Sequence, residues 1–263
     1  MTRRTPRLFA TWLLCATVAA SAQTAALRTV HVLVALADNE HQGIVPVPAK
    51  LGNGEDAEHN LYWGSAYGVK TFFSHAADWE RVGCSRGPQS AILERCIFKH
   101  RSANSYLVAD AYRGVEMEQA ILDFFDSAAG IAEQTVTVSD GRGELKLPIR
   151  GGASLVTYIG HDGLMDFPLR RLPHPNNHVH RDVVVLACAS KPFFANGVRA
   201  SGAYPLLWTT GLMAPEAYTL KSALDGWIAG ESNEQIRDRA AGAYDKYQKC
   251  GLRAAHRLFA TGW

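Results

Sequence analysis

Two short apolar runs, both rich in β-branched residues, stand out in the middle of the chain. They cover residues 154–159 and 182–187, and Gly, Pro or charged residues bound each of them. Runs of this length and composition are typical of buried strands rather than helices. Because both runs are continuously apolar, we expect helices to cover both faces of these strands, as in a parallel sheet. The two strands are therefore predicted to be adjacent and parallel in one sheet.

The remaining pattern alternates between strands and helices. Period-two or continuous apolar stretches predict further strands at residues 29–37, 105–109, 135–139 and 204–209. Apolar side chains at helical spacing predict helices at 61–73, 115–129, 215–229 and 232–249. Residues 84–96 contain Gly, Ser and Pro and predict a loop with a short turn. Such alternation predicts an α/β fold with a mostly parallel sheet flanked by helices on both faces.

The first 22 residues have the pattern of a secretory signal. Three arginines precede the apolar stretch 8–20, and Ala20, Ser21 and Ala22 match a cleavage site. We therefore expect an exported protein, periplasmic or extracellular, whose residues 23–263 form a single α/β domain of about 241 residues. The signal is too short for a stable span, and no later apolar run has membrane length. After signal removal we predict no stable membrane span.

Charge and motifs exclude several classes of function. Without the three arginines of the signal, 27 basic residues fall to 24 against 25 acidic residues, a net charge of −1. A chain of this balance has no electrostatic footprint for nucleic acid, so no nucleic-acid partner is predicted. The sequence also lacks a phosphate-binding loop and a dinucleotide-binding glycine motif. We predict no cofactor.

Four cysteines follow the signal, and export favours disulfide formation. Cys84 and Cys96 are close in sequence and are the pair we expect to be bridged. Cys188 then stands at a strand end, and Cys250 at the end of the last predicted helix. If Cys188 is not itself half of a disulfide, its thiol is free for chemistry.

The two central strands each end in a residue that can take part in nucleophilic chemistry. His161 follows the first strand and Cys188 follows the second. The working site of a parallel sheet lies beyond the carboxyl ends of its strands. A thiol beside an imidazole is the basic unit of cysteine nucleophile chemistry.

This arrangement resembles the caspase–legumain–gingipain superfamily of cysteine peptidases. There, an apolar block precedes His-Gly, and a second apolar block precedes Ala-Cys; the corresponding residues here are His161, and Cys188 after Ala187. The resemblance covers about forty residues. It implies a caspase-like fold, Cys188 as nucleophile, His161 as acid and base, and a protein or peptide substrate.

The resemblance also implies donors for the oxyanion of the transition state. These would be the backbone N–H of Cys188 and one from Asp162 or Gly163. Two departures from the family pattern bear on this role. Asp162 stands between His161 and Gly163, and only 27 residues separate His161 from Cys188.

Other polar residues offer weaker hypotheses. Asp38 and Glu40 follow the first predicted strand and are candidates for binding a basic side chain of a substrate, as is Asp162. His174, His178 and His180 have a spacing compatible with zinc, but they lie in a Pro- and Asn-containing loop without a placed carboxylate. We predict no metal site there.

Three functional hypotheses follow. The first is an exported cysteine peptidase, or a related acyl-transfer enzyme, that uses a Cys188–His161 dyad. The second is an inactive caspase-like binding module, which the inserted Asp162 favours and the retained His and Cys oppose. The third is a metal-dependent hydrolase built on the histidine loop.

Overall fold

The structure, a computed structural model, describes residues 26–139, 143–176 and 179–263. The predicted signal peptide and His178 lie outside the described residues. The strands are β1 (Arg28–Ala35), β2 (Trp79–Arg86), β3 (Ile92–His100), β4 (Ser105–Tyr112), β5 (Gln134–Ser139), β6 (Glu144–Ile149), β7 (Leu155–Ile159), β8 (Asp182–Leu186), β9 (Tyr204–Thr209) and β10 (Phe259–Ala260). The helices are α1 (Val69–His75), α2 (Met117–Ala128), α3 (Ser190–Ser201), α4 (Ala217–Ala229), α5 (Asn233–Gln248) and α6 (Leu252–Leu258).

Eight of these strands form one mixed sheet in the order β10-β9-β8-β7-β1-β4-β3-β2. The five strands β9, β8, β7, β1 and β4 are parallel to one another. On one side of this core, β3 pairs antiparallel with β4, and β2 pairs antiparallel with β3. On the other side, β10 pairs antiparallel with β9. The predicted adjacency of β7 and β8 is confirmed, with Ile159 opposite Leu186 in a parallel register.

Helices cover both faces of the sheet, as predicted. Alternate residues of the strands point to opposite faces of the sheet and form two apolar clusters. One cluster packs against α2 and α3, and the other against α1, α4 and α5. A capping box of Ser232 and Gln235 opens α5, within the helix predicted at 232–249. None of the described helices has the length and apolar character needed to cross a membrane.

The predicted helix at 61–73 is correct only in its last part. Residues 61–68 form turns, and α1 begins at Val69. At Gly64 an added Cβ would lie 2.0 Å from the Glu58 carbonyl oxygen, so the chain folds back on itself too closely for a side chain. The Asn60 side chain supports this turn, because it accepts hydrogen bonds from the N–H groups of Ala37 and Tyr62.

The predicted loop at 84–96 is instead part of an antiparallel hairpin. Cys84 on β2 lies directly opposite Cys96 on β3, and the predicted disulfide between them is present. The prediction of a loop was wrong because β2 lies at the edge of the sheet, where only Trp79 of its eight residues is buried. A strand exposed on both faces lacks the apolar alternation that marks strands in a sequence.

A buried ion network lies under the small β5–β6 hairpin. Asp110 on β4 is fully buried and receives two hydrogen bonds of 2.6 Å from the Arg95 guanidinium. His31 on β1 lies 3.1 Å from the same carboxylate, and its other ring nitrogen accepts the N–H of Arg150. Burial lowers the pKa of His31, which is therefore neutral and donates to Asp110.

Candidate active site

His161 and Cys188 follow the carboxyl ends of two neighbouring parallel strands, β7 and β8. Each residue lies two positions beyond the last register pair of β7 and β8, Ile159 and Leu186. The Gly160 N–H extends this ladder by donating to the Leu186 carbonyl at 3.3 Å. Because neighbouring strands are about 4.8 Å apart, the two chains leave the sheet next to each other.

The His161 ring is held by an acid that the sequence reasoning missed. Its Nε2 lies 2.7 Å from Oδ2 of Asp166, and the same oxygen accepts the Gly43 N–H at 3.3 Å. The Tyr158 hydroxyl donates to the His161 carbonyl at 2.7 Å. Asp166 therefore fixes Nε2 and leaves Nδ1 for a reacting group. An acid five residues after a strand-end His is the only sequence signal that could have identified it.

Gly160 sets the direction in which His161 leaves the strand. Its φ is +154°, and an added Cβ would lie 2.9 Å from the Ala35 carbonyl oxygen and 3.2 Å from the Tyr158 hydroxyl. A side chain at this position is therefore both strained and crowded. The backbone conformation and the close contacts therefore both favour glycine at position 160.

Cys188 is a partly buried free thiol. Its sulfur donates to the Met213 carbonyl at 3.5 Å and accepts the Met213 N–H at 3.4 Å. Ala189 adopts the left-handed conformation with φ of +47°, and α3 begins at the next residue. Within the described ranges, no hydrogen bond joins Cys188 to His161; the thiol is bonded to Met213 and the imidazole to Asp166.

Of the three backbone N–H groups predicted as oxyanion donors, one already makes a hydrogen bond. Gly163 donates its N–H to the His161 carbonyl at 3.1 Å. The N–H groups of Asp162 and Cys188 donate to no described residue. Of the positions predicted for an oxyanion site, the N–H groups of Asp162 and Cys188 have no acceptor in the described chain, whereas the Gly163 N–H is occupied. Asp162 is fully buried, so its N–H does not face solvent in this structure.

Asp162 is a buried carboxyl group with an unusual pKa. The residue is fully buried, Oδ1 accepts the Leu164 N–H, and Oδ2 has no partner in the described part of the chain. Burial, together with a smaller effect of the negative charge of Asp166, raises the pKa of Asp162 to about 7. The inserted residue is thus a group that changes charge near neutral pH.

This pKa predicts a pH-dependent effect of Asp162→Asn on stability. A carboxyl whose pKa rises from 3.8 when unfolded to about 7 when folded destabilises the folded state progressively as pH rises through that interval. Asn keeps the acceptor for Leu164 and removes the charge. Urea unfolding should show the variant about 2–4 kcal/mol more stable near pH 8, with the gain fading towards about pH 4.

The control for this experiment is Asp238→Asn, because that carboxylate is 53% exposed. Its effect on the free energy of unfolding should be small and nearly flat with pH. A gain for Asp162→Asn that does not change between the two pH values would contradict a buried titrating carboxyl.

Asp38 and Glu40 lie on the loop after β1, at the same edge of the sheet. The Asp38 carboxylate accepts the N–H groups of Glu40 and His41 and contacts the His41 ring at 2.9 Å. This contact raises the pKa of His41. Asp38 is buried and committed to its own loop, whereas Glu40 is exposed. Of these two predicted substrate-binding acids, Glu40 is the one with an exposed carboxylate.

Exposed apolar side chains surround this edge. Each of the five parallel strands is followed, within its next loop or helical turn, by a large apolar residue that is more than one-third exposed. We call these residues the apolar rim: Val45, Val115, Met165, Phe193 and Leu212. Exposed apolar side chains of this size are candidates for contact with a polypeptide or another apolar ligand.

The histidine loop does not join this site. His180 contacts Asp182 at 3.1 Å, at the amino end of β8, whereas Cys188 lies beyond the carboxyl end. His178 lies outside the described residues. Elsewhere in the described chain, the one group of three potential metal ligands contains Cys84 and Cys96, which are joined in the disulfide.

Comparison with known protein families, with curated proteins and with solved structures found no match to this chain. What the site can do chemically is therefore argued from its own residues. A thiol, an imidazole held by a carboxylate and two free backbone N–H groups are the components of acyl transfer through a thioester.

Proposed function

We propose that this protein is an exported, caspase-like cysteine hydrolase that cleaves peptide bonds. The observation that carries the proposal is the register of β7 and β8, which brings His161 and Cys188 to equivalent positions at one edge. Asp166 on the His161 ring supplies the third group of a nucleophile, base and orienting-acid arrangement. The parallel core and the helices on both faces support the resemblance to the caspase–legumain–gingipain superfamily in its coarse form.

The proposed reaction proceeds through an acyl-enzyme. The Cys188 thiolate attacks the carbonyl carbon, and the oxyanion is stabilised by the N–H groups of Cys188 and Asp162. The His161 imidazolium gives its proton to the leaving amine, and the C–N bond breaks to leave a thioester. His161 then takes a proton from water as the water oxygen attacks the thioester carbon; the C–S bond breaks, the carboxylic acid is released, and the Cys188 thiolate and His161 imidazolium are restored. Asp166 is a positioning residue that holds the ring through Nε2.

The apolar rim supports a polypeptide substrate. Each of the five parallel strands is followed by one of its exposed apolar side chains, whereas Asp38 is engaged within its loop. A substrate with large apolar side chains would bury this surface. The Cys84–Cys96 disulfide supports export of the protein, because disulfides persist in oxidising compartments.

A pH profile of Cys188 alkylation tests the proposal. An ordinary cysteine has a pKa of about 8.5, so it is almost wholly protonated in acid. With an imidazolium beside it, Cys188 should react with iodoacetamide at about pH 5–6. His161→Ala should move the profile towards that of an ordinary thiol, and Asp166→Asn should move it part of the way. Mass spectrometry separates modification of Cys188 from that of Cys250.

The matched control is His41→Ala, because His41 is a second histidine at the same edge and contacts Asp38 instead. Its alkylation profile should coincide with that of the unaltered protein. Superimposable profiles for the unaltered protein and His161→Ala, both with ordinary thiol behaviour, would end the dyad hypothesis.

A caspase-like binding module is the second candidate function. The observation that favours it is that the sulfur of Cys188 is hydrogen-bonded to Met213 and the His161 ring to Asp166, with no bond between them. In that case the apolar rim would bind a partner without cleaving it. The alkylation experiment separates the two candidates, because a binding module requires no reactive thiol.

A further inference from the structure

A concave surface that Cys188 does not line lies between α1, α4 and α5. It has a volume of about 880 Å³. Four aromatic residues line its walls, and we call this surface the tyrosine cleft: Tyr67, Phe72, Tyr218 and Tyr247. Tyr218 and Tyr247 are stacked with ring centroids 4.2 Å apart, and Tyr67 packs edge-on against both. Tyr67 remains 43% exposed, so aromatic surface is open to a ligand.

A continuous chain of contacts links the tyrosine cleft to Cys188. The sulfur is hydrogen-bonded to the Met213 backbone, and the next residue, Ala214, donates its N–H to the Tyr244 hydroxyl at 3.1 Å. The Tyr244 ring lies 6.4 Å from that of Tyr218, which forms a wall of the cleft. Leu212 of the apolar rim, 74% exposed, precedes Met213. This connection runs through the interior, because Tyr244 and Tyr218 are 7% and 2% exposed.

The charges around the cleft define what it can accept. Lys221 is paired with Asp78 and Asp225, and Arg239 makes two hydrogen bonds to Glu231. Lys246 lies over the Tyr247 ring at 5.5 Å and forms no ion pair with a described residue. Of the lysine, arginine and aspartate side chains that line the cleft, Lys246 is therefore the one without an ion pair among the described residues.

Gly242 lines the cleft with open space beside it. It lies in the middle of α5 and lines the cleft, and a Cβ built on it would meet nothing within 4 Å. Its φ is not positive, so the backbone conformation does not require glycine. Glycine inside a helix lowers helix stability relative to alanine. The position thus combines an unfavourable residue with open space next to aromatic walls.

We infer that the tyrosine cleft binds an aromatic or large aliphatic side chain of the polypeptide substrate, at a distance from the bond that is cleaved. An acidic residue beside that side chain would pair with Lys246. This inference rests on the proposed function, since it names the substrate segment that the same protein would hold. Aromatic rings offer large apolar contact area with few rotatable bonds, which suits this role.

Binding is tested in the Cys188→Ala chain, so that no cleavage is needed. The probe is a fluorescein-labelled synthetic peptide with Phe, Leu and Glu, and fluorescence anisotropy measures its Kd. Tyr67→Ala, which removes wall surface, and Gly242→Leu, which fills the cleft, should each raise the Kd about tenfold or more. Replacing Phe and Leu of the peptide by Ser should have the same effect, and replacing Glu by Lys a smaller one.

Two variants serve as controls. Gly242→Ala adds only a Cβ into open space, so it should leave the Kd unchanged and raise the Tm by about 2–4 °C. Trp263→Ala removes an aromatic side chain that is 51% exposed but does not line the cleft, and it should also leave the Kd unchanged. Thermal melts of every variant show that each is folded.

The inference is overturned if Gly242→Leu and Tyr67→Ala leave the Kd unchanged, or if Trp263→Ala raises it as much. It is also overturned if the Ser-substituted peptide binds equally well. Cleft-dependent binding together with ordinary alkylation of Cys188 would remove the peptidase proposal alone. A reactive Cys188 without cleft-dependent binding would remove this inference alone.

Discussion

Replacing Cys188 by Ala should abolish peptide hydrolysis, with a loss in kcat of at least about 10³-fold. Loss of the nucleophile removes the thioester route, and what remains is binding and oxyanion stabilisation without covalent catalysis. Hydrolysis of the Phe- and Leu-containing peptide, followed by mass spectrometry, measures the loss. Cys188 is partly buried, and its substitution by the smaller Ala should leave the fold intact, which circular dichroism can check.

The matched variant is Cys250→Ala, because Cys250 is the other free cysteine of the described chain. It is exposed after α5, and its sulfur contacts only the Gly251 carbonyl at 3.9 Å. Hydrolysis by Cys250→Ala should stay close to that of the unaltered protein. Hydrolysis that survives in Cys188→Ala and disappears in Cys250→Ala would show that Cys250 is the required thiol and would refute the proposed site.

Asp110→Ala should lower the free energy of unfolding by about 3–5 kcal/mol, the largest stability effect that we expect. Removing one partner of a buried ion pair leaves the other charge, here the Arg95 guanidinium, without compensation. The two hydrogen-bonded partners hold the pKa of Asp110 at about 2 against the opposing effect of burial. Since this pKa is depressed, the stabilisation is present above about pH 4 and is lost as pH falls towards 2.

Urea unfolding of Asp110→Ala and Asp110→Asn near pH 7 measures this effect, with Asn as the variant that preserves volume. Glu80→Ala is the control, because its ion pair with Arg101 is more than half exposed on both sides. That substitution should cost less than about 1 kcal/mol. Equal losses for the Asp110 and Glu80 variants would mean that the buried network contributes no more than a surface pair.

The sequence was sufficient to predict the elements that lie in the middle of the sheet. Strands β7 and β8 are apolar on both faces, so their pattern is strong and even their adjacency could be predicted. Edge elements were missed for the opposite reason: β2 exposes nearly all its side chains, and β10 has only two residues. Helix α3 was missed because its sequence, SKPFFANGVRAS, mixes Pro, Gly and polar residues with few apolar positions.

The sequence also predicted only part of the candidate site. His161 and Cys188 could be located because both stand at the ends of apolar strands. Asp166 could not, because its position depends on a short turn after β7 that folds its carboxylate back onto the His161 ring. Local turns also determine two other features: Asp38 is hydrogen-bonded within its own loop, and the Gly163 N–H is bonded to the His161 carbonyl. Such turns have no clear pattern in a sequence.

The central position of β1 sets the order in which the protein can fold. This first strand pairs Arg28 with Ser105 and Val30 with Leu155, partners that are 77 and 125 residues further along the chain. During synthesis, β1 therefore has no second neighbour until β7 has emerged. Parallel pairing at such separations is entropically costly and slow, on the scale of milliseconds to seconds or longer. A chain that stays open for that time is the form that an export channel for unfolded proteins would accept.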